Sequence, residues 1–261
     1  MNAIVAETWK AATKRLFDVL VAAVLLILAA PLMAVIALLV KLDSPGTVLY
    51  RQNRVGLNRR RHDEPYRAPT DRRCCPGLGR IFRLIKFRTM RMDAERNGAV
   101  WSNKGDLRVT RVGRVLRKTH LDELPQLVIV LFGDMSIVGP RPERPEFVQQ
   151  LKDAVPNYAK RLCVKPGVTG LAQIRRDPDE TIDDVRRKIR FDRLYLRNAG
   201  PWADVKIVVG TIPLALGLSP SRLRRAIRLV LNGDPKTSLV ARFSLGVQSA
   251  PLEQRLPATF E

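Results

Sequence analysis

From Leu16 to Val40 the chain is an almost unbroken apolar run with Asp18 its only charge. As a straight helix this run would extend roughly 37 Å at about 1.5 Å per residue, longer than a hydrocarbon core of about 30 Å. Pro31 lies inside it, where it removes the hydrogen bond to the carbonyl of Ile27 and predicts a kink. Basic residues flank both ends: Lys10, Lys14 and Arg15 before, and Lys41, Arg51 and Arg54 after. Because positive charge is retained on the cytoplasmic side of a membrane, both ends are expected there. A re-entrant helix that dips into the bilayer and returns at Pro31 satisfies both features, and an ordinary single-pass anchor is the plainer alternative. No small-residue cleavage pattern ends the run before Lys41, which argues against a removed signal peptide.

Past this run the apolar periods are shorter. Leu42 to Gly56 opens with a Ser-Pro-Gly turn and continues as a short extended stretch, predicting a strand and loop at the membrane surface. Alternation of Ile85, Phe87 and Thr89 predicts a second strand with Lys86 and Arg88 on its other face. Lys165 to Ile174 carries Pro166, Gly167 and Gly170, the composition of a tight turn with a close backbone approach. Val185, Ile189, Asp192 and Tyr195 recur at helical spacing and predict an amphipathic helix from Thr181 to Leu196. Trp202 to Leu218 is strongly apolar but holds Asp204, Lys206 and Pro213, so it reads as an interfacial or packing helix. Ser221 to Leu231 repeats the basic amphipathic theme, and the remainder to Glu261 reads as a mobile tail.

The fold class expected is a mixed, helix-rich α/β membrane-associated domain with an N-terminal re-entrant membrane helix and surface amphipathic helices. Residues 1–41 form the membrane element with its basic flank, 42–218 a cytoplasmic domain, and 219–261 a basic helix and tail. Arg59 to Gly79, rich in Arg, Pro and turn formers, reads as a basic insertion within the second segment.

Charge narrows the partners. The net charge is +21, and an anionic partner is needed; nucleic acid, anionic lipid and phosphorylated substrates all qualify. Between Arg51 and Lys118 stand 20 Lys or Arg against 6 Asp or Glu, directly after the apolar run, which favours a cytoplasmic membrane surface over nucleic acid. Cys74 and Cys75 are adjacent and Cys163 stands alone, a pattern that makes neither a disulfide framework nor a zinc spacing and is consistent with a reduced compartment. His62 and His120 lack partners at ligand spacing, and His120 reads as structural although Asp122 is near.

The candidate chemistry lies between Lys118 and Pro142, KTHLDELPQLVIVLFGDMSIVGPRP. Asp122 and Glu123 stand just before Pro125, a residue favoured at the first helical position, so the pair is expected where a helix begins and amide groups point outward. The same dipole is expected to lower the Asp122 pKa, keeping it ionised as a nucleophile, while Glu123 moves a proton or holds a metal. Arg141, between Pro140 and Pro142, can grip a phosphate through two parallel bonds. Lys86 and Arg88 offer a phosphate cradle, or else belong to the general basic surface, and Arg117 comes near the pair through one helical turn. By itself, an Asp-Glu pair beside a helix start also reads as a capping and solubility feature.

With IKFRTM at Ile85–Met90, LDELPQL followed by GDMSIVGPRPE, and KPGVTGLAQI at Lys165–Ile174, the chain from about Lys14 to Leu218 resembles the bacterial sugar transferases, the monotopic phosphoglycosyl transferases. The resemblance implies transfer of a sugar 1-phosphate from a UDP-sugar to a polyprenyl phosphate such as undecaprenyl phosphate, with release of UMP, at the cytoplasmic face of a bacterial inner membrane. It also implies a covalent phosphosugar on Asp122; the donor diphosphate is expected to be bound through Mg2+ held by Asp122 and Glu123 and through contacts by Lys86, Arg88, Arg117 and Arg141. Members usually carry Ser before the membrane-helix proline; here Ala30 precedes Pro31, removing a hydroxyl that could satisfy freed backbone. Two other classes stay open: a membrane-anchored basic module that binds anionic lipid or nucleic acid without catalysis, and a metal-dependent hydrolase of a lipid or nucleotide diphosphate.

Overall fold

The computed structural model describes residues 2–58, 79–94, 96, 106–175 and 181–218. The basic insertion, apart from Gly79, and the segment beyond Leu218 lie outside the described residues, as do His62, Cys74 and Cys75. The elements in order are α1 (Asn2–Asp43), β1 (Leu49–Val55), β2 (Ile81–Phe87), α2 (Arg111–Thr119), α3 (Gln126–Phe132), β3 (Ser136–Val138), α4 (Pro145–Ala154), β4 (Gly167–Thr169), α5 (Leu171–Arg175), α6 (Ile182–Asn198) and α7 (Pro201–Ala215). Two 3-10 turns, Leu121–Glu123 and Tyr158–Cys163, carry the chain through tight corners.

The sheet content is small. Strands β1 and β2 pair antiparallel from Leu49 opposite Phe87 to Val55 opposite Ile81, and β3 pairs in parallel with β4 through Ser136 with Gly167 and Val138 with Thr169. The glycines of the Lys165–Ile174 segment explain that second pairing. A side chain at Gly167 would run into the Gly139 amide, and one at Gly170 into the Gly139 carbonyl, so only glycine lets the two backbones approach. The segment therefore supplies a strand and the start of α5, rather than only the expected turn.

The amphipathic pattern of α6 is realised residue for residue: Val185, Ile189, Asp192 and Tyr195 are its buried positions. Thr181 caps it, its hydroxyl accepting from the Asp184 amide while the Asp184 carboxylate accepts from the Thr181 amide.

Helix α1 runs without interruption through Pro31, so the expected turn at that proline is not a break in the helix. The helix lies against the globular body and touches α2, α3, α7, β2 and β3. Ala22 enters the main core with Phe82, Leu84, Leu127, Val130 and Met135, and Ile36 and Val40 enter a second cluster with Phe87 and Leu116. Between them Leu26 and Met33 pack against the same clusters, so one stripe is covered by protein over most of the apolar run. The outer face is bare, with Ile27 and Leu28 exposed to 74% and 70%. Asp18 is no lipid-facing charge: it is buried and accepts from Lys14 Nζ at 2.8 Å, Ser136 Oγ at 3.0 Å and the Ile137 amide at 3.1 Å.

Polar clamps fix both ends of the apolar run. Near the start, Lys14 pairs with Asp204 of α7 at 2.8 Å, and Arg15 donates to the carbonyls of Val130 and Leu131 at 2.6 and 2.7 Å, closing the C-terminal end of α3. At the other end Arg88, only 3% exposed, donates to the carbonyls of Val40 at 3.2 Å, Ser44 at 2.6 Å and Pro45. Arg88 therefore serves the end of α1. Strand β2 stops at Phe87, which frees the Arg88 side chain to turn away from the face that Lys86 occupies.

Replacing Arg88 by methionine keeps bulk but strips three carbonyls of their donor. With unsatisfied buried acceptors costing about 1–3 kcal/mol each and some regaining water, a loss of about 2–4 kcal/mol is expected. Thermal melting in detergent should fall by roughly 5–15 °C. An unchanged melting curve would show that the clamp carries no stability.

Candidate active site

Helix α2 starts at Thr110, whose hydroxyl accepts from the Gly113 amide at 3.0 Å, and it is seated on Thr89. The Thr110 amide donates to the Thr89 carbonyl at 3.0 Å, and Gly113 comes so close to Thr89 that a side chain there would collide with its backbone. Seated this way, α2 directs Arg117 inward, where its Nε donates to Thr89 Oγ1 at 2.9 Å. His120 closes the helix in the left-handed conformation, φ 56°, its amide bonded to the Leu116 carbonyl. The 3-10 turn Leu121–Glu123 follows at once, and α3 begins after Pro125.

The carboxylate pair thus sits one turn ahead of α3 rather than within its first turn. The amides of Glu123 and Leu124 are spent on the carbonyls of His120 and Leu121 at 3.1 and 3.3 Å, and Pro125 has none. The amides of Glu123 and Leu124 are therefore closed to an anion, and the basic side chains around the pair supply attraction for one. Asp122 and Glu123 are 5% and 7% exposed.

Arg141 makes the fork that its sequence context suggests, but onto protein: Nη1 donates to Glu123 Oε2 at 3.0 Å and Nη2 to Glu123 Oε1 at 2.5 Å. Burial alone would raise the Glu123 pKa, but the Arg141 charge and hydrogen bonds outweigh it and hold the carboxyl below its usual range. Asp122 behaves in the opposite way. No hydrogen bond or ion pair to its carboxylate occurs among the described residues, and burial, reinforced by the neighbouring Glu123, pushes it up to about 6 against the pull of Lys86, Arg141 and Arg117. The expectation of a depressed Asp122 pKa is corrected: desolvation exceeds any dipole effect.

Lys86 projects from β2 with Nζ 5.5 Å from the centre of the Tyr50 ring. Burial lowers the pKa of both Lys86 and Arg117, and Asp122 is the largest influence restoring each of them. Of the expected site residues, then, the structure brings Asp122, Glu123, Lys86, Arg117 and Arg141 into one charged cluster and places Arg88 elsewhere. His120 belongs to the backbone turn; burial lowers its pKa and Glu123 opposes that shift. Cys163 is exposed.

Sequence reasoning missed the frame behind Arg141. Every carbonyl from Pro140 to Glu143 is held by a donor remote in sequence: Pro140 by the Gly167 amide at 3.0 Å, Arg141 by Arg161 Nη2 at 2.8 Å, and Pro142 and Glu143 by two neighbours on β1, Arg54 Nη1 at 3.1 Å and the Val55 amide at 2.9 Å. The Glu143 side chain accepts from Lys188 Nζ at 2.5 Å and is held down to about 2, because Lys188, Arg161 and Arg54 overcome its burial. A signal for this frame was available, since Asp192 interrupts the apolar stripe of α6 and a charge there requires a partner.

A divalent cation is tested by the donors present. No cluster of three His, Cys, Asp or Glu side chains suited to a metal occurs among the described residues. Mg2+, however, is commonly held by one or two carboxylates together with substrate phosphates and water, and the uncommitted Asp122 carboxylate beside Glu123 fits that demand.

A family model described as bacterial sugar transferase matches residues 9–217, and the chain belongs to that family. It is 43% identical over 199 residues to an Aeromonas hydrophila protein named UDP-N-acetylgalactosamine-undecaprenyl-phosphate N-acetylgalactosaminephosphotransferase, covering 76% of this chain and 42% of that one. It is 42% identical over 205 residues to the UDP-glucose:undecaprenyl-phosphate glucose-1-phosphate transferase of Caulobacter vibrioides, covering 78% and 69%. The exopolysaccharide production protein PSS of Rhizobium leguminosarum bv. phaseoli is 38% identical over 205 residues, covering 76% and 92%. The chain thus spans less than half of the Aeromonas protein and most of the other two.

Proposed function

We propose that this chain transfers a sugar 1-phosphate from a UDP-sugar to a polyprenyl phosphate, undecaprenyl phosphate in a bacterium, as an early membrane step of exopolysaccharide, capsule, O-antigen or related glycan assembly. The observation that carries the reading is the contrast within the pair: Glu123 is committed to Arg141, whereas Asp122 is buried, uncommitted and near Lys86, Arg117 and Arg141. An Asp122 oxygen attacks the sugar-bearing phosphorus. The bond from that phosphorus to the bridging oxygen breaks, UMP leaves with the electron pair, and a sugar phosphate stays on Asp122 as an acyl phosphate. An oxygen of the polyprenyl phosphate then attacks the same phosphorus, the acyl phosphate bond breaks, and the Asp122 carboxylate is regenerated with a polyprenyl diphosphosugar as product.

Lys86, Arg117 and Arg141 neutralise the diphosphate that would otherwise repel the nucleophile. Glu123 keeps Arg141 oriented toward the phosphates. Mg2+, held through Asp122 beside the Arg141-bound Glu123 with the phosphates of the donor, would add charge neutralisation when bound.

The re-entrant reading of α1 belongs to this proposal. Clamps at Lys14–Arg15 and at Arg88 tie both ends of the apolar run to one body, which favours a helix that, bent at Pro31 without a break, enters and leaves from the same face with its bare Ile27–Leu28 side in lipid. Helix α7 supports the same orientation, because its exposed Trp202, Val205, Val209 and Ile212, continued by its C-cap Leu216, recur at three- and four-residue spacing along one face. The site would then lie at the depth of lipid head groups on the cytoplasmic face of the inner membrane, among anionic lipids that match the +21 charge.

In a background with Cys74, Cys75 and Cys163 replaced by serine, Ala12→Cys and Leu42→Cys should both react with an impermeant thiol reagent added to inside-out vesicles and neither in right-side-out vesicles. Opposite accessibility of the two would establish a spanning helix. The activity is tested by UMP release from a panel of UDP-sugars with Mg2+ and undecaprenyl phosphate. UMP from one donor, dependent on acceptor, is expected; release of free sugar phosphate without acceptor would establish a hydrolase, and no UMP from any donor would reject the donor class.

A further inference from the structure

Arg161 is 3% exposed, yet it touches neither carboxylate of the pair. Its guanidinium reaches four groups at once: Nη2 donates to the Arg141 carbonyl at 2.8 Å, Nη1 donates to the Tyr158 hydroxyl at 3.1 Å and lies 3.8 Å from Glu143 Oε1, and Nε lies 2.9 Å from Asp192 Oδ2, close enough for an ion pair but off line for a hydrogen bond. Asp192 is itself 3% exposed and belongs to α6, so the pair couples that helix to the loop carrying Arg141. The ring of Tyr158 completes the setting, with the guanidinium 5.3 Å from its centre.

Two buried opposite charges could be replaced by apolar side chains at little cost to stability, so such a pair needs another justification. Here it is geometric. Arg141 must present its fork to Glu123 from a loop whose flanking prolines cannot donate backbone bonds, leaving outside donors to fix the peptide. We propose that Arg161, braced by Asp192, is a positioning residue for the transfer reaction, fixing the Arg141 peptide so that its guanidinium meets both Glu123 and the diphosphate of the donor.

The inference rests on the reading that Arg141 grips the donor phosphates. Arg161→Lys keeps the charge but lacks the planar fork that spans Asp192, Tyr158 and the Arg141 carbonyl. Asp192→Asn removes the brace with almost no change of shape. Each is compared with Arg141→Lys and with the double variants, by steady-state UMP release with the matching UDP-sugar and by melting of the same samples.

Expected is a loss in kcat/KM of about 10- to 100-fold, since a displacement near 1 Å can carry that effect. The donor KM should rise as it does in Arg141→Lys, and the losses should not multiply in the Arg141→Lys background. A merely structural defect would lower the active fraction, leaving donor KM unmoved and multiplying in full. That pattern, wild-type kinetics, or failure of both Arg161→Lys and Asp192→Asn to fold would each overturn the inference. If Arg141→Lys itself leaves donor KM unchanged, the phosphate-gripping reading falls instead, and the inference falls with it.

Discussion

Asp122→Asn should lower UMP release by at least about 10³-fold, because the amide cannot act as the nucleophile that forms the acyl phosphate. Membrane attachment should be untouched, as α1 and its clamps do not include Asp122. The same variant should melt at or above the wild type at pH 7.5. A carboxyl titrating near 3.9 in the unfolded chain and pushed up to about 6 in the fold binds its proton more tightly when folded. Stability is therefore lost as pH rises from about 4 to about 6 and stays lost above it, and asparagine avoids up to about 3 kcal/mol of that loss. For the wild type, kcat/KM should rise with pH through an apparent pKa near 6, and Lys86→Met should move that limb upward because Lys86 favours the ionised form. A limb unmoved by Lys86→Met would separate this lysine from the nucleophile.

Arg141→Met should be the second most damaging change. It leaves Glu123 buried without the guanidinium that holds it ionised, so Glu123 should take up a proton and melting should fall. Breaking a fully buried pair costs about 3–5 kcal/mol, but the Arg141 side chain is 40% exposed and solvent screens the pair, so about 1–3 kcal/mol is expected. Arg141→Lys retains charge and loses the two-pronged geometry, so it should recover much of the stability and little of the donor affinity. Equal recovery of both by lysine would show that Arg141 acts through charge alone.

Much of this arrangement is legible in the sequence where local chemistry dictates structure. The α6 stripe is legible because period and cap agree, and Gly167 and Gly170 announce a close backbone approach even though their parallel partner, β3, is remote in sequence. The cluster of Asp122, Lys86, Arg117 and Arg141 was legible as a set of suitable charges whose assembly only the fold supplies. Arg88 misled because alternation along β2 was carried two residues past its end, to Thr89, and the end of the strand decides which way that side chain turns. The Asp122 pKa misled because burial is a tertiary quantity, and Arg161 stayed hidden because its partners are a backbone carbonyl, a hydroxyl and two carboxylates spread over several segments. For α1, the apolar run was plain in sequence, but nothing local revealed that one stripe of it is covered by the protein itself.

The covalent step is tested most directly by the intact mass of the protein after incubation with its UDP-sugar and Mg2+ in the absence of acceptor. The account predicts a mass increase of one sugar phosphate, mapped to the peptide carrying Asp122, discharged by polyprenyl phosphate and absent from Asp122→Asn. Unmodified protein that nevertheless forms UMP as soon as acceptor is added would contradict it and establish direct transfer between the two substrates.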